Sequence, residues 1–362
     1  MTMPAATETA TGALGLWPAF SVAPMMDWTD RHCRVFLRRF SPRVLLYTEM
    51  VTAAAICRGD RERLLGFSAE EQPVALQLGG SDRHELAEAA RAGEDAGYRE
   101  INLNCGCPSD RVSAGAFGAC LMLQPELVAD CVAAMRSAVR IPVTVKMRIG
   151  VVDRRQERGA GLKDAMLRFD DADEEQLHRM AALLLSAGCD GLIVHARKAV
   201  LGGLSPQENR TVPPLRYDIA ERLRRTFPAL PFAVNGGLRE LSEIEAALGW
   251  CDSVMIGREA YHRPGLLAAL QARLYPEDPW SAPTPDEVLA HMIDYAAAAL
   301  GQGHRMSAIT RHMLGLLTHT PGARDYRRLL TEGTRSAEAG IEVLVAARTL
   351  IADSDNSRRA WA

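Results

Sequence analysis

The chain has 362 residues, 48% of them apolar and 24% charged, with a net charge of −3. That is apolar material for a large core plus an appendage, and a balance so near neutral excludes a chain built throughout to bind nucleic acid, so any RNA contact must come from a local patch. No apolar run reaches the roughly 18 residues of a membrane helix, which excludes a spanning segment of that kind.

The stretch Met1 to Thr11 is small and polar and lacks the basic and apolar regions of a signal peptide, and residues 1–15 read as a disordered tail. From there, short β-branched and aliphatic runs alternate with helical stretches. The runs are Phe20–Met25, Val44–Met50, Val74–Gly79, Ile101–Asn104, Val143–Ile149, Gly191–His195, Phe232–Asn235 and Ser253–Ile256. Each is largely apolar, as a strand buried on both faces of a parallel sheet must be. Between them, Asp82–Gly97 reads as a helix with Ser81 as N-cap and Gly97 as stop, and Pro125–Arg140 and Asp173–Gly188 follow the same plan. Leu215–Phe227, Leu241–Leu248 and Pro264–Leu274 continue the alternation. Eight such units predict an α/β fold, a (β/α)8 TIM barrel over residues 16–276. An open doubly wound sheet is the competitor, but its glycine-rich dinucleotide turn is missing after the first strand. Residues 277–285 are a proline-rich linker, and 286–355 a small C-terminal helical domain with helices over Asp286–Leu300, Ser307–Leu317, Ala323–Leu330 and Ala337–Ala352.

The active site of such a barrel lies where its strands end. Asn235-Gly236-Gly237 and Gly257-Arg258 follow the seventh and eighth strands, where glycine amides and a guanidinium suit a phosphate; the plainer alternative is a pair of tight turns. Lys146 sits in the apolar fifth run, so it faces the barrel mouth or is buried at a cost. His195 ends the sixth run as a ligand contact or a hydrogen-bonded structural residue, and Gln77 both donates and accepts. After the fourth run comes Asn104-Cys105-Gly106-Cys107-Pro108. No second pair at zinc-like spacing accompanies these cysteines, so no metal is expected, and the Cys-x-x-Cys of a redox pair is missing. A thiol at a strand end can instead act as a proton donor, and Pro108 holds the Cys107 loop in place. The other cysteines are scattered and read as reduced core residues of a cytoplasmic protein.

The segments APMMDWTD (23–30), LLYTEMVT (45–52), ALQLGGSD (75–82), INLNCGCPSDRV (101–112), FGACLM (117–122), VTVKMRIG (143–150), IVHARKA (193–199), LSPQENRTVPPL (204–215), VNGG (234–237), MIGREAY (255–261), ITRHMLGL (309–316) and PGARDYRR (321–328) resemble the tRNA-dihydrouridine synthases, with the A-type bacterial subfamily nearest. The resemblance implies flavin-dependent reduction of uridine to 5,6-dihydrouridine at positions 20 and 20a of the tRNA D-loop: hydride from reduced FMN to C6, a proton from Cys107 to C5, and NADPH as reductant. It implies FMN held by Pro24, Met25, Met26, Gln77, Lys146, His195, Asn235, Gly236, Gly237, Gly257 and Arg258, with Asn104 and Arg210 near the target base. Cys105 departs from the aliphatic residue of close relatives, and 151–171 is a longer stretch than the family pattern leads one to expect.

Arg311, Arg327 and Arg328, with Arg305, Arg324 and three histidines at 304, 312 and 319, form a basic patch in the tail. On its own such a patch is a solvated face; beside a flavin barrel it reads as tRNA-binding, with Arg197, Lys198 and Arg210 as further candidates. The chain is read as a monomer. Two rivals are a flavin barrel acting on a free pyrimidine, which leaves the basic tail without a purpose, and a non-catalytic RNA-binding module, which leaves Cys107 without one.

Overall fold

The computed structural model describes residues 17–109, 117–154, 161–318 and 320–352. The predicted tail, Asp110–Val112 of the cysteine motif, residues 155–160 and His319 lie outside these. The eight apolar runs close into one parallel barrel, with strands Phe20–Val22, Leu45–Thr52, Val74–Gly79, Glu100–Cys105, Val143–Arg148, Gly191–His195, Phe232–Asn235 and Ser253–Ile256. Each pairs with the next, and Phe20 opposite Val254 completes the closure, which excludes the open doubly wound sheet. The fold is a TIM barrel with a helical C-terminal region.

Two strand ends differ from the sequence reading by more than one residue. The first strand stops at Val22, because Ala23 makes the last ladder bond, to the Ile256 carbonyl, and Pro24 has no N–H to carry it on. The second runs past Met50 to Thr52, paired along the third. The helix expected from Asp82 spans Arg83–Asp95, and its N-cap is Asp82 rather than Ser81: the carboxylate accepts from the amides of His84 and Glu85 at the positive end of the helix. A short ribbon, Val151–Asp153 beside Ala199–Leu201, follows the fifth and sixth strands.

The barrel interior is divided chemically. Ala23, Leu45, Tyr47, Ala75, Ile193, Ala233 and Met255 form one apolar cluster with Trp17. The third to fifth strands instead bring buried polar side chains: Gln77, then Glu100, Asn102 and Asn104 at alternate positions, then Thr144. At the strand beginnings Trp17 lies against Gly191, where even a Cβ would come within 2.4 Å of its ring.

The chain divides into two compact units: the first holds the barrel, and the second gathers Met25–Val44, Ser68–Gln72 and the chain from Gly257 on. The second is helical, with Arg31–Arg38, Arg258–His262, Gly265–Leu274, Pro285–Gly301, Met306–Thr310, Ala323–Gly333 and Glu342–Ala352 around a core that includes Phe36, Phe40, Leu289, Met292, Tyr326 and Leu344. Its proline-rich stretch is anchored: Asp278 receives Nε and Nη2 of Arg43 at 2.8 and 2.6 Å and the amide of Gln271 at 2.9 Å. Pro285 opens the helix behind a Thr284–Glu287 capping box. The boundaries expected at 276 and 286 follow composition, whereas the two units follow packing. Among the described residues no helix is long and apolar enough to cross a membrane, and no cluster of His, Cys, Asp and Glu suits a metal ion.

Candidate active site

Parallel register puts the strand-end residues of the first unit side by side: Asn104 opposite Lys146, Arg148 opposite His195, and His195 opposite Asn235. A chain of hydrogen bonds runs along the fourth strand to the cysteine loop. The Asn104 Oδ1 accepts the backbone N–H of both Gly106 and Cys107 at 3.0 Å, and its Nδ2 donates to Gln77 Oε1 at 2.8 Å. The Gln77 Nε2 donates to Asn102 Oδ1, and Asn102 Nδ2 to the Thr144 hydroxyl, both at 2.8 Å. Thr144 donates to Glu100 Oε1 at 2.5 Å; Tyr47 donates to the same oxygen at 2.6 Å and the Trp17 indole to Oε2 at 2.7 Å. Cys107 is held on its other side too, its carbonyl accepting from the Ala119 amide at 2.8 Å.

Cys107 is half-buried in the loop beyond the fourth strand, whereas Cys105, the strand's last residue, is fully buried, and burial pushes its thiol well up. The two cysteines are therefore not equivalent: of the pair, only Cys107 is open to solvent. Among the described residues, which include all eight cysteines, none is in a disulfide.

Next to this loop the site is cationic. Burial, reinforced by Arg148 and Arg210, pulls the Lys146 ammonium down to about 7, while Cys107 acts in the other direction. Burial brings Arg148 down to about 9, with Cys107 again opposing. Burial, then Arg148, Lys146, Arg197 and Arg210, holds the His195 imidazole well below its usual value, so it is neutral. Cations packed without a carboxylate among their strongest influences fit an anionic ligand. Lys146 Nζ lies 3.3 Å from Asn235 Oδ1, and Asn235 in turn donates to the Met255 carbonyl at 2.7 Å. Gly236 has φ 113°, and a Cβ there would meet the His195 ring at 2.6 Å, so the imidazole occupies the space a side chain would need.

The family described as dihydrouridine synthase matches residues 21–161 and 162–352. The chain belongs to the dihydrouridine synthase family. It is 50% identical over 324 residues to a tRNA-dihydrouridine(20/20a) synthase of Synechocystis, covering 90% of this chain and 92% of that protein. A Salmonella typhimurium protein of the same name is 50% identical over 346 residues (96% and 98%), and one from Escherichia coli 51% over 334 residues (92% of each). Among solved structures, a 2-naphthoyl-CoA reductase complex matches with a TM-score of 0.52 at 10% identity, over 75% of this chain and 51% of that one, a likeness of fold alone.

For this dihydrouridine synthase family member, the first unit brings together Gln77, Asn104, Cys107, Lys146, His195, Asn235 and Gly236 of the predicted site residues. Gly237, at φ 74°, continues the turn against Leu215, and Pro24 ends the first strand's segment. Arg197 donates to the Pro213 carbonyl, and Arg210 is exposed. Lys198 is turned away: it is 3% exposed and pairs with Asp173 at 2.8 Å. Met25, Met26, Gly257 and Arg258 belong to the second unit, Gly257 leading into the Arg258–His262 helix. There too Arg311 pairs with Asp30 at 2.5 Å, while Arg327 and Arg328 are exposed, the latter 3.0 Å from Asp325.

Sequence reasoning missed Arg148, Asn102, Thr144 and Glu100. Arg148 is 3% exposed and donates to the carbonyls of Gly106 at 3.2 Å and Asn209 at 3.0 Å, tying the cysteine loop to the 204–212 segment. The signal for Glu100 and Asn102 is the alternation Glu100-Ile101-Asn102-Leu103-Asn104, polar every second residue, which puts three polar side chains on the inner face of one strand; Thr144, on the next strand, has no such signal.

Proposed function

We propose that this chain reduces uridine to 5,6-dihydrouridine in tRNA, at positions 20 and 20a of the D-loop, with FMN as bound flavin, NADPH as reductant and Cys107 as the proton donor to C5. The observation that carries the reading is the pairing of a rigidly held, accessible thiol with a buried cationic cluster at one barrel mouth. The relatives of half-identical sequence are named for this reaction at these positions, and the fit to FMN rests on the donor set. Lys146, Asn235, His195 and the glycine turn at 236–237 would hold its polar edge and phosphate, and Gln77 its ring edge. FMN, when bound, supplies the hydride for C6 of the uracil.

The rest falls to the protein. Cys107 gives its proton to C5, which completes the two-hydrogen reduction, and a proton from solvent restores the thiol. Asn104 and Arg210 are proposed to face the target base, which must leave the RNA stack to react. Arg327 and Arg328 are proposed to contact tRNA phosphates.

The test is Cys107→Ala. Flavin content and flavin reduction by NADPH should match the unaltered protein, and dihydrouridine formation in tRNA, read by mass spectrometry of nucleosides, should fall by about a hundredfold or more. Normal dihydrouridine formation by that variant would sink the assignment of the proton donor. A protein that neither contains nor binds flavin would sink the reading as a whole.

A further inference from the structure

We infer that Glu100, on the barrel floor, is a positioning residue for the Cys107 loop: it sets the direction of the whole hydrogen-bond chain and so decides that Asn104 presents its oxygen, and not its NH2, to the loop amides. The inference rests on the reading of Cys107 as proton donor. The argument is one of donors and acceptors. An amide side chain can be turned either way round, and only its partners decide which. Burial pushes the Glu100 carboxyl up to about 7, against the bonds from Thr144, Tyr47 and Trp17 that favour its charged form, so above that pH it is ionised, accepts and cannot donate. Thr144 must therefore point its hydroxyl hydrogen at Glu100 Oε1, which leaves the hydroxyl lone pairs to accept from Asn102 Nδ2. Asn102 then offers oxygen to Gln77 Nε2, Gln77 offers oxygen to Asn104 Nδ2, and Asn104 is left with oxygen for the N–H groups of Gly106 and Cys107. Backbone amides only donate, so both ends of the chain demand the same direction.

The chain is dry enough for direction to matter. Glu100, Asn102 and Thr144 are at most 2% exposed, Gln77 is 1% and Asn104 9% exposed, so solvent reaches only the last link of the chain, at the part-buried Gly106 and Cys107. Tyr47 and Trp17 satisfy the rest of the carboxylate, and the Trp17 indole, which can only donate, fixes Oε2 as an acceptor. That last contact makes the isosteric change informative. In Glu100→Gln the indole still demands oxygen on its side, so the new NH2 faces Thr144. Thr144 accepts from that NH2; unless its own buried hydrogen is left unmet it must donate to Asn102, so that each amide turns over in sequence and Asn104 is left aiming NH2 at two N–H donors. The Cys107 loop loses its hold, although nothing within it has been altered.

The experiment follows alkylation of Cys107 by iodoacetamide in the purified full-length protein, read peptide by peptide, with a thermal melt on each sample. Glu100→Gln should speed alkylation by about fivefold, the factor that one lost net hydrogen bond carries. Thr144→Val, which cuts the chain one link above Glu100, should do the same and serves if Glu100→Gln does not fold. Tyr47→Phe removes a bond from the same carboxylate without touching the chain's direction, and should leave the rate unchanged whatever its melting temperature. Adding Trp17→Phe to Glu100→Gln frees the amide to turn its oxygen back to Thr144 and should return the rate to within about twofold of the original. In turnover, Glu100→Gln should lower kcat for tRNA and leave KM in place, because the thiol and not the binding surface is displaced. Unaltered alkylation in both Glu100→Gln and Thr144→Val overturns the inference. So does equal acceleration in Tyr47→Phe, or failure of the double variant to recover, since either assigns the effect to lost packing. Alkylation needs neither flavin nor tRNA, so an unaltered protein that makes no dihydrouridine would refute the proposed function by a separate result.

Discussion

Lys146 shows what a desolvated cation costs the fold. Its ammonium is held down to about 7 from an ordinary 10.5 by burial first and by neighbouring cations second. The sign follows from linkage: the unfolded chain binds this proton more tightly, so the group's contribution to stability is present above pH 10.5, fades as pH falls, and is lost through about 7. Lys146→Met should therefore melt higher than the unaltered flavin-free protein below pH 7, with the gap closing as pH rises toward 10.5. A melting series of both proteins from neutral to alkaline pH checks it, and a variant that melts lower at every pH would contradict it. Lys146, His195, Asn235 and Gly236 were legible in the sequence because each is polar or glycine at the end of an apolar strand. Glu100 was not, because its partners Thr144, Tyr47 and Trp17 stand 44, 53 and 83 residues away. No local pattern states which strands of a barrel will meet.

At the scale of elements, the strands were readable because burial on both faces leaves apolar runs, and a crossover helix must separate parallel neighbours. Where the reading failed, periodicity had reported burial rather than helix. Over 307–317 the apolar positions Ile309, Met313, Leu316 and Leu317 are indeed buried, yet the helix stops at Thr310. The chain beyond it passes in turns against the Arg258–His262 helix, so closely that a Cβ on Gly315 would meet the His262 carbonyl at 2.5 Å. Arg148 links elements of a different kind, since one guanidinium from the fifth strand serves the carbonyls of two loops. Arg148→Met removes those bonds and leaves buried carbonyls unmet, so it should destabilise by about 1–3 kcal/mol in urea unfolding, beyond the range of a surface change. A loss within about 0.5 kcal/mol would mean that the two loops hold themselves.

At the scale of the whole molecule, a net charge of −3 conceals two very different uses of basic residues. Inside the barrel Arg148 is buried and Lys146 partly so; on the Ala323–Gly333 helix Arg324, Arg327 and Arg328 are exposed. Reversing Arg327 and Arg328 to Glu should weaken tRNA binding and flatten its salt dependence by about one slope unit per lost phosphate contact, with flavin content intact. An unchanged affinity and slope would return these arginines to an ordinary solvated face. Arg311 belongs to another class. It meets Asp30, whose carboxyl burial alone would raise; bonds from His312, the Cys33 amide and Arg311 outweigh that and hold it well below the usual range. Arg311→Glu should therefore lower the melting temperature as well as any RNA affinity. The fastening of Gly106 and Cys107 to a buried asparagine has a further consequence, visible in time rather than in space. Their amides should exchange with deuterated solvent on the slow scale of the barrel strands, although they lie in a loop, while unfastened loop amides exchange early. A thiol mounted on so slow a segment takes its place when the chain folds, before any nucleotide arrives.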